Sequence, residues 1–271
     1  MFSFDLLLRR LGVRMFRFRA SPYEHLLEAP RYSEMIVDLD GQDFKIADSV
    51  SFYHSFREIF YDGIYEFHCD RQQPVILDCG SNCGTSVVYF KSLYPKARIV
   101  AVEPDPKMFG LLEWNIKHRG YSDVKLVNRA VSVGSASVSF YREGADSGRT
   151  FPIEGYKEVV AIGAVHLDDL ITEPVDFLKM DIEGDEGAVI CSSAKLHAVS
   201  QLFFEYHSFR KTDQALGAIL QKLSDSGFRY YIHKQFCSSR PLTEDKERQG
   251  MDMQLNVFAK RTGVKELQRP G

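Results

Sequence analysis

Short apolar runs recur along this chain of 271 residues, and stretches with apolar residues at helical spacing lie between most of them. Apolar runs of this length that end at turn residues are typical of buried strands. The predicted strands are residues 75–77, 99–102, 124–128, 177–180, 202–204, 230–233 and 255–259. Strands that alternate with helices predict an α/β fold, with a parallel sheet covered by helices on both faces.

The first 70 residues do not follow this alternation. Residues 35–39 and 43–46 flank Asp40 and Gly41 and predict a short hairpin, and residues 51–60 predict a helix. We therefore expect an N-terminal cap over residues 1–70, a sheet domain over residues 71–262 and a frayed tail over residues 263–271. Within the sheet domain, residues 136–141 and 159–165 predict two extra antiparallel strands around a polar loop.

The composition is that of a folded domain, and it restricts the kinds of partner and compartment that we expect. Hydrophobic residues make up 44% of the chain and aromatic residues 13%, which is enough for a full core. The formal net charge of -3 gives no support for general nucleic-acid binding. The five cysteines contain no CxxC pair, so we expect reduced thiols and a cytoplasmic location. No apolar run reaches the roughly 20 residues that a membrane-spanning helix needs.

Residues 1–20 form a basic segment in which five arginines stand among phenylalanines and leucines. The segment lacks the continuous apolar core and the cleavage site of a signal peptide. An amphipathic helix packed on its own domain is the favoured interpretation. Peripheral contact with a membrane surface, or with an anionic partner, is the alternative.

The first strand of the sheet ends in Asp78 and passes into a turn with two glycines. Gly80 and Gly84 allow the backbone to turn tightly and let a ligand approach where a Cβ would otherwise stand. Dinucleotide enzymes use the spacing GxGxxG, and the helix N-terminus that follows holds a pyrophosphate. Here the spacing is DxGxxxG, and Asp78 would repel a pyrophosphate. The turn therefore predicts a cationic ligand without phosphate, and S-adenosylmethionine has that chemistry.

The residues around this turn predict how such a ligand would be held. We expect the helix that follows the turn to offer free N–H groups and a positive dipole end. We expect the amino-acid end of S-adenosylmethionine to meet Asp78, directly or through water, and the N–H groups of the turn. Ser81, Asn82 and Thr85 add short polar groups at the same rim.

Two further strand ends complete the predicted cofactor site. Glu103 closes the second strand, where a carboxylate accepts hydrogen bonds from both ribose hydroxyls. Pro104 follows it and fixes a turn, which argues against a merely solvated acid. The third strand ends in Asn128, Arg129 and Ala130, which we expect beside the adenine.

These motifs resemble the FkbM family of class I, Rossmann-type methyltransferases. The resemblance covers roughly residues 45–260, and its most specific part is the segment 178–186, which follows the family's K-x-D-x-E-G-x-E pattern. Ser81 and Cys83 stand where the family usually has an alanine and an aliphatic residue, and both changes leave the turn intact. The resemblance implies an O-methyltransferase that acts on a sugar, glycan or polyketide-like hydroxyl. It also implies the sheet order 3-2-1-4-5-7-6, with the last-numbered strand antiparallel.

Two strand ends carry the candidate catalytic residues. Positioning does much of the work in methyl transfer, and a base that takes the hydroxyl proton adds roughly 10²–10⁴ in rate. Asp181, at the end of the fourth strand, is the first candidate, although it could also orient the hydroxyl or face the sulfonium. Glu205 and His207 point to one side of the fifth strand, and His207 is the alternative base. Glu183 and Glu186 are expected to cap a helix or form ion pairs.

Several alternatives stay open at this stage. Asp181, Glu205 and His207 could together hold a divalent metal, which some O-methyltransferases use. A site without metal is favoured, because nothing in the sequence fixes a ligand geometry. A non-catalytic S-adenosylmethionine-binding module and an NAD-dependent oxidoreductase are the other candidate functions. The sequence indicates neither the acceptor nor the oligomeric state, since specificity belongs to loops and caps.

Overall fold

The computed structural model describes residues 21–134, 136–142, 148–149 and 158–261. Within these ranges the strands are β1 Met35–Leu39, β2 Gln42–Ile46, β3 Val75–Cys79, β4 Arg98–Val102, β5 Val124–Val127, β6 Ala130–Val131, β7 Ser137–Arg142, β8 Glu158–Val165, β9 Val175–Met180, β10 Val199–Phe209, β11 Phe228–Cys237 and β12 Met251–Arg261. The α-helices are α1 Ser49–Phe56, α2 Thr85–Leu93, α3 Pro106–His118, α4 Leu167–Leu170, α5 Glu186–Ser192 and α6 Leu216–Asp225. The predictions for residues 1–20, for most of the polar loop 142–155 and for the tail 263–271 lie outside the described residues.

The main layer is a seven-stranded sheet in the order β11-β12-β10-β9-β3-β4-β5. Five neighbouring strands, β10, β9, β3, β4 and β5, run parallel. Strand β12 pairs antiparallel with both β10 and β11. Read from β5, this is the order 3-2-1-4-5-7-6, so the order and the antiparallel last-numbered strand are confirmed. All residues of β3 and β9 are buried, as expected for central strands with two covered faces.

Each face of the sheet has its own hydrophobic core. Ile76 and Phe177 pack into the core that contains helices α1, α2 and α3. Their chain neighbours Leu77 and Leu178 point into the opposite core, which contains residues of α5 and α6. Because side chains alternate across a strand, the continuous apolar runs of the sequence supply both cores at once. The strands are thereby held rigid, and the loops at their carboxyl ends are fixed in place.

The cap begins with the hairpin of β1 and β2 and continues into α1. Asp48 caps α1 by accepting a 2.8 Å hydrogen bond from the Ser51 amide. The predicted helix over residues 51–60 changes character partway, because a π-helical turn over Arg57–Asp62 follows α1. This wider turn keeps Phe56 and Phe60 stacked at 4.8 Å inside the core. Further along the cap, the Tyr65 ring lies 4.9 Å from Phe203 of β10 and the Phe67 ring 4.5 Å from Phe177 of β9, so the cap packs directly on the sheet through aromatic rings.

A small second sheet stands beside the main one. It has the order β6-β8-β7, and β7 pairs with β8 in antiparallel register. The two extra antiparallel strands predicted from the sequence are thus confirmed. A search of the described residues finds no helix that is both long enough and apolar enough to cross a membrane.

Candidate active site

A cavity of about 580 Å³ lies where β3, β4 and β9 end and where β10 passes beside them. Cavities of this size hold small-molecule ligands, and they commonly lie where a parallel sheet changes its winding direction. The predicted site residues that line it are Gly80, Ser81, Asn82, Thr85, Glu103, Pro104, Arg129, Ala130, Asp181, Glu205 and His207. Three further predicted residues, Asp78, Gly84 and Asn128, are outside that lining.

Both glycines of the turn have left-handed backbones, with φ of 82° at Gly80 and 96° at Gly84. A Cβ at Gly80 would stand 1.8 Å from the Asp181 carbonyl oxygen, and one at Gly84 would stand 2.8 Å from Leu112 Cδ1. The space that each glycine leaves is therefore filled by protein and not by a ligand. This corrects the expectation that the glycines admit a ligand: they let β3, β9 and α3 approach each other.

The N–H groups of the turn are all occupied by protein acceptors. The amides of Gly80 and Ser81 donate to the Val102 carbonyl at 2.9 and 3.0 Å. The Asn82 amide donates to Glu103 Oε2 at 2.8 Å, and the remaining two amides of residues 80–84 donate to neighbouring turn oxygens. The expectation of free N–H groups is thus wrong for residues 80–84, because the turn folds back onto the end of β4. None of these five amides is available to donate a hydrogen bond to a pyrophosphate.

Asp78 lies behind the cavity wall with no exposed surface. The Ser86 hydroxyl donates to its Oδ2 at 2.6 Å, and Lys179 Nζ lies 3.5 Å from its Oδ1. Asp78 therefore has no surface on the cavity for a direct ligand contact, because its charge is directed at Lys179 and Ser86, and the alternative contact through water stays a prediction.

Lys179, the lysine of the K-x-D-x-E-G-x-E pattern, is a site residue to which sequence reasoning assigned no role. Its ammonium donates to the carbonyls of Cys79, at 3.3 Å, and of Gly80, and it lines the cavity. Burial disfavours its charge, but the carboxylates of Asp78 and Asp181 outweigh burial and raise the pKa of Lys179. The available signal was a lysine inside an otherwise apolar buried strand, which requires a buried anionic partner.

Glu103 is held in position by backbone donors. Its Oε2 accepts from the Asn82 amide and its Oε1 accepts from the Asp105 amide, at 2.8 and 2.9 Å. The side chain is 6% exposed, and burial raises its pKa to about 7. Each carboxylate oxygen keeps a second lone pair, which can accept a ligand hydroxyl. Glu103 therefore suits a diol such as a ribose.

The loop after β5 supports the neighbouring β4 loop and lines part of the cavity. Asn128 Nδ2 donates to the carbonyls of Glu103 and Pro104 at 2.9 and 3.1 Å, so its side chain holds the β4 loop. Arg129 Nη1 donates to the Ala164 carbonyl at 3.3 Å while the residue lines the cavity. Sequence reasoning placed all three residues of this loop beside a ligand, and the structure brings only Arg129 and Ala130 to the cavity.

Asp181 is an acid on the cavity whose carboxylate is incompletely paired. Its amide donates to the Cys79 carbonyl at 3.0 Å, which fixes the residue at the end of β9. Its Oδ2 lies 3.9 Å from Lys179 Nζ, and its buried Oδ1 has no hydrogen-bond partner among the described residues. A buried carboxylate oxygen without a donor is uncommon, and here it lies on a ligand-sized cavity. The structure thus presents an acceptor to whatever occupies the cavity.

His207 is enclosed by two acids. Its Nδ1 lies 3.2 Å from Glu186 Oε1, and its Nε2 lies 3.7 Å from Glu183 Oε2. Burial opposes its charge, but Glu183 and Glu186 outweigh burial and raise the pKa of His207 well above its ordinary value. Glu186 also accepts from the amides of Ile182 and Gly184. The expected ion-pair role of the two glutamates is confirmed, whereas no side-chain cap is seen on α5, because the amides that donate to Glu186 precede the helix.

The Arg149 side chain is fully buried, with 0% exposed. Its Nη2 lies 3.2 Å from Glu183 Oε2, and its guanidinium stands 4.5 Å from the centre of the Phe209 ring. Glu183 itself has a φ of 61°, which is uncommon outside glycine. Arg149 therefore connects the segment between β7 and β8 to the loop that follows Asp181.

Asp181, Glu205 and His207 are brought together, as the sequence suggested, with their ligating atoms within 4.8 Å of one another. Gln254 donates to Glu205, and burial and the nearby charge of Asp181 raise the pKa of Glu205 above its ordinary value. The acidic partners on both ring nitrogens of His207 favour an imidazolium, which has no lone pair for a metal. The three groups could hold a divalent cation only if His207 released a ring proton.

The sheet order, the strand-end carboxylate Glu103 and the position of the cavity together define a class I methyltransferase. The family model of the methyltransferase FkbM domain matches residues 78–230, and the chain belongs to the FkbM methyltransferase family. It is an enzyme of the S-adenosylmethionine-dependent methyltransferase class.

Curated relatives agree with this assignment. The chain is similar to methyltransferase sdnD of Sordaria araneosa, with 25% identity over 191 residues that cover 57% of this chain and 74% of the relative. It is similar to 31-O-demethyl-FK506 methyltransferase FkbM of Streptomyces tacrolimicus, with 26% identity over 213 residues, 64% of this chain and 80% of the relative. It is also similar to 2-O-methyltransferase NoeI of Sinorhizobium fredii (strain NBRC 101917 / NGR234), with 25% identity over 161 residues, 51% of this chain and 65% of the relative.

Among solved structures, the fold is similar to methyltransferase FkbM from Methylobacillus flagellatus KT. The TM-score is 0.44 at 17% sequence identity, and the match covers 77% of this chain and 50% of that chain.

Proposed function

We propose that the protein transfers the methyl group of S-adenosylmethionine to a hydroxyl of a small-molecule or glycan acceptor in this cavity. The acidic acceptors on the cavity wall, Glu103 and the incompletely paired Asp181, carry this proposal. The N–H groups of residues 80–84 are taken by protein acceptors and cannot bind a pyrophosphate, whereas ribose hydroxyls and an ammonium require acceptors. The cavity presents acceptors at Glu103 and Asp181, which disfavours an NAD-dependent oxidoreductase.

Each predicted cofactor residue has a place in this proposal. Glu103 accepts from the ribose hydroxyls, and Asp181 faces the sulfonium side of the cofactor, where the methyl group leaves. The cavity-lining residues Ser81, Asn82, Thr85, Pro104, Arg129 and Ala130 surround the remaining parts of the cofactor. Asp78, Gly80, Gly84 and Asn128 act indirectly, because their contacts shape the turn and the β4 loop. The cofactor supplies an activated methyl group, and the protein supplies orientation and a base.

The proposed base is Asp181, with Glu205 beside it. The acceptor oxygen forms a bond to the methyl carbon, the carbon–sulfur bond breaks with its electrons on sulfur, and the hydroxyl proton passes to a carboxylate. Asp181 has an oxygen that is available for this proton. Glu205 favours its protonated form and is suited to orient the hydroxyl. His207 acts as a positioning residue, because both of its nitrogens face carboxylates.

The names of two relatives support a hydroxyl acceptor. One relative is described as a 31-O-demethyl-FK506 methyltransferase and another as a 2-O-methyltransferase. Both names specify transfer to oxygen, and we extend that chemistry to this chain as part of the proposal.

Formation of S-adenosylhomocysteine with a panel of hydroxylated acceptors tests this function. Asp181→Asn should slow turnover by roughly 10²–10⁴ while changing the affinity for S-adenosylmethionine much less. Asp225→Asn, a change at an exposed acid of α6, is the control and should leave both values unchanged. Binding of S-adenosylmethionine without product from any acceptor would favour the non-catalytic binding module. Equal losses of affinity in Asp181→Asn and Glu103→Ala would remove the catalytic role of Asp181.

A further inference from the structure

Two carboxylate–carboxamide pairs line the cavity beside Asp181. Gln235 Nε2 donates to Glu58 Oε1 at 3.3 Å, and Gln254 Nε2 donates to Glu205 Oε1. All four side chains belong to the cavity lining. Neither glutamine was a predicted site residue, and Glu58 comes from the cap. The cap and the antiparallel edge of the sheet therefore each contribute a polar pair to the same space.

The sheet register places the two pairs next to each other. Gln254 is opposite His207 on β10 and opposite Phe236 on β11, the chain neighbour of Gln235. The ladder shifts its register between Lys234 and Phe236, so Gln235 lies at an irregularity of β11. Such irregularities commonly redirect a side chain towards a site. Here the redirected side chain reaches the cavity.

Glu58 is brought to the same place by an unusual piece of helix. It lies in the π-helical turn Arg57–Asp62, which Gly63 ends with a φ of 67°. Single π-helical turns occur frequently at functional sites. Burial, followed by the charge of Asp181, raises the pKa of Glu58. Glu58 and Gln235 line the same cavity as Asp181, the group proposed to take the acceptor proton.

The chemistry of these pairs matches hydroxyl groups. A hydroxyl both donates and accepts, a carboxylate accepts, and a carboxamide does both. We propose that Glu58 and Gln235 recognise a second hydroxyl of the acceptor, next to the hydroxyl that Asp181 and Glu205 address, so that the enzyme selects vicinal diols. This inference rests on the proposed methyl transfer. It narrows the acceptor to a polyol such as a sugar ring, as against an isolated hydroxyl on an apolar skeleton.

Matched small probes test the selection. Formation of S-adenosylhomocysteine is measured with cis- and trans-1,2-cyclohexanediol, with a set of methyl glycosides and with cyclohexanol. Turnover is expected with at least one diol or glycoside and no faster than the blank with cyclohexanol, because a site that hydrogen-bonds a hydroxyl strongly rejects an analogue without it. Equal turnover of diol and cyclohexanol, or no turnover of any diol or glycoside, would overturn the inference.

Variants connect the selection to the residues. Gln235→Ala and Glu58→Gln should each raise KM for the accepted diol at least tenfold, with little change in kcat or in the affinity for S-adenosylmethionine. Lys234→Ala and Asp62→Asn are matched controls from the same strand and the same helical turn, and both residues are exposed and outside the cavity lining. An unchanged KM in Gln235→Ala and Glu58→Gln would contradict the inference. If the wild-type protein does not bind S-adenosylmethionine in calorimetry, the proposed function fails as well.

Discussion

Lys179 Nζ lies 3.5 Å from Asp78 Oδ1, and the two side chains are 3% and 0% exposed. The same ammonium donates to the Gly80 carbonyl. One buried cation therefore joins β9, the strand that carries Asp181, to the glycine turn that follows β3. The arrangement makes the geometry of the site depend on an ion pair that no ligand needs to touch.

Lys179→Met should destabilise the protein by about 3–5 kcal/mol, because it leaves the buried Asp78 carboxylate without its cation. Urea unfolding measures this change in the free energy of unfolding. The double variant Asp78→Asn with Lys179→Met should recover much of the loss, since it removes both charges. Lys96→Met, at an exposed lysine, is the control and should stay within about 0.5 kcal/mol of the wild type. A Lys179→Met protein as stable as the control would show that the pair is not required.

Gly80→Ala should destabilise the turn by about 1–3 kcal/mol or more, because the backbone is left-handed and the Asp181 carbonyl occupies the position of the new Cβ. Affinity for S-adenosylmethionine should fall with it, since Asp181 must move. Gly217→Ala is the matched control. Gly217 lies in α6, and a Cβ added there would meet nothing within 4 Å, so the change should stabilise the helix by roughly 0.5–1 kcal/mol. Thermal unfolding of the two variants should therefore shift in opposite directions, and equal shifts would contradict the close approach.

Affinity for S-adenosylmethionine should increase between pH 6 and pH 8. Burial raises the pKa of Glu103 to about 7, so its carboxylate ionises within this range and then accepts best from ribose hydroxyls. Calorimetric titrations at both pH values measure the effect, and Glu103→Gln should remove the part due to this group. Identical pH dependence in the wild type and in Glu103→Gln would contradict the assignment.

The raised pKa of Glu103 also makes the free energy of unfolding depend on pH. The folded protein retains the Glu103 proton up to about pH 7, whereas the unfolded chain releases it near the ordinary value of 4.5. Its contribution to the free energy of unfolding is therefore largest below pH 4.5 and decreases as the pH rises towards 7.

Excess EDTA should leave the turnover rate unchanged. Asp181, Glu205 and His207 lie close enough to share an ion, but the imidazole of His207 is committed to Glu183 and Glu186. A protonated imidazole is not a ligand. The measurement is the rate of S-adenosylhomocysteine formation before and after chelation. Loss of activity on chelation that Mg²⁺ restores would show that His207 releases its proton to a metal site.

The sheet was predictable because its evidence is local. The continuous apolar run of residues 75–77 is visible in the sequence alone, and it lies within β3, all of whose residues are buried. Glu103 was predictable as a lining residue for a similar reason, since a strand end followed by Pro104 fixes its position at the sheet edge. The three candidate residues Asp181, Glu205 and His207 were found because Asp181 follows the end of β9 and Glu205 lies just past the last residue of β10 that pairs with β9.

The connections between these groups were not predictable, because they join distant parts of the chain. Lys179 reaches a carbonyl 100 residues before it, at Cys79, and Gln235 pairs with Glu58 at a separation of 177 residues. Local patterns do not specify such pairs. The role of the turn was misjudged for the same reason, since its amides are taken by Val102, a residue of the neighbouring strand.

Calorimetric titration with S-adenosylmethionine tests most directly whether the cavity is the methyl-donor site. We predict that S-adenosylmethionine binds the wild-type protein and that NAD does not bind under the same conditions. Glu103→Ala should weaken binding at least tenfold, whereas Glu66→Ala, at an exposed glutamate outside the cavity lining, should bind as the wild type does. Binding of NAD in place of S-adenosylmethionine, or equal affinity in Glu103→Ala and the wild type, would contradict the assignment of this cavity as the methyl-donor site.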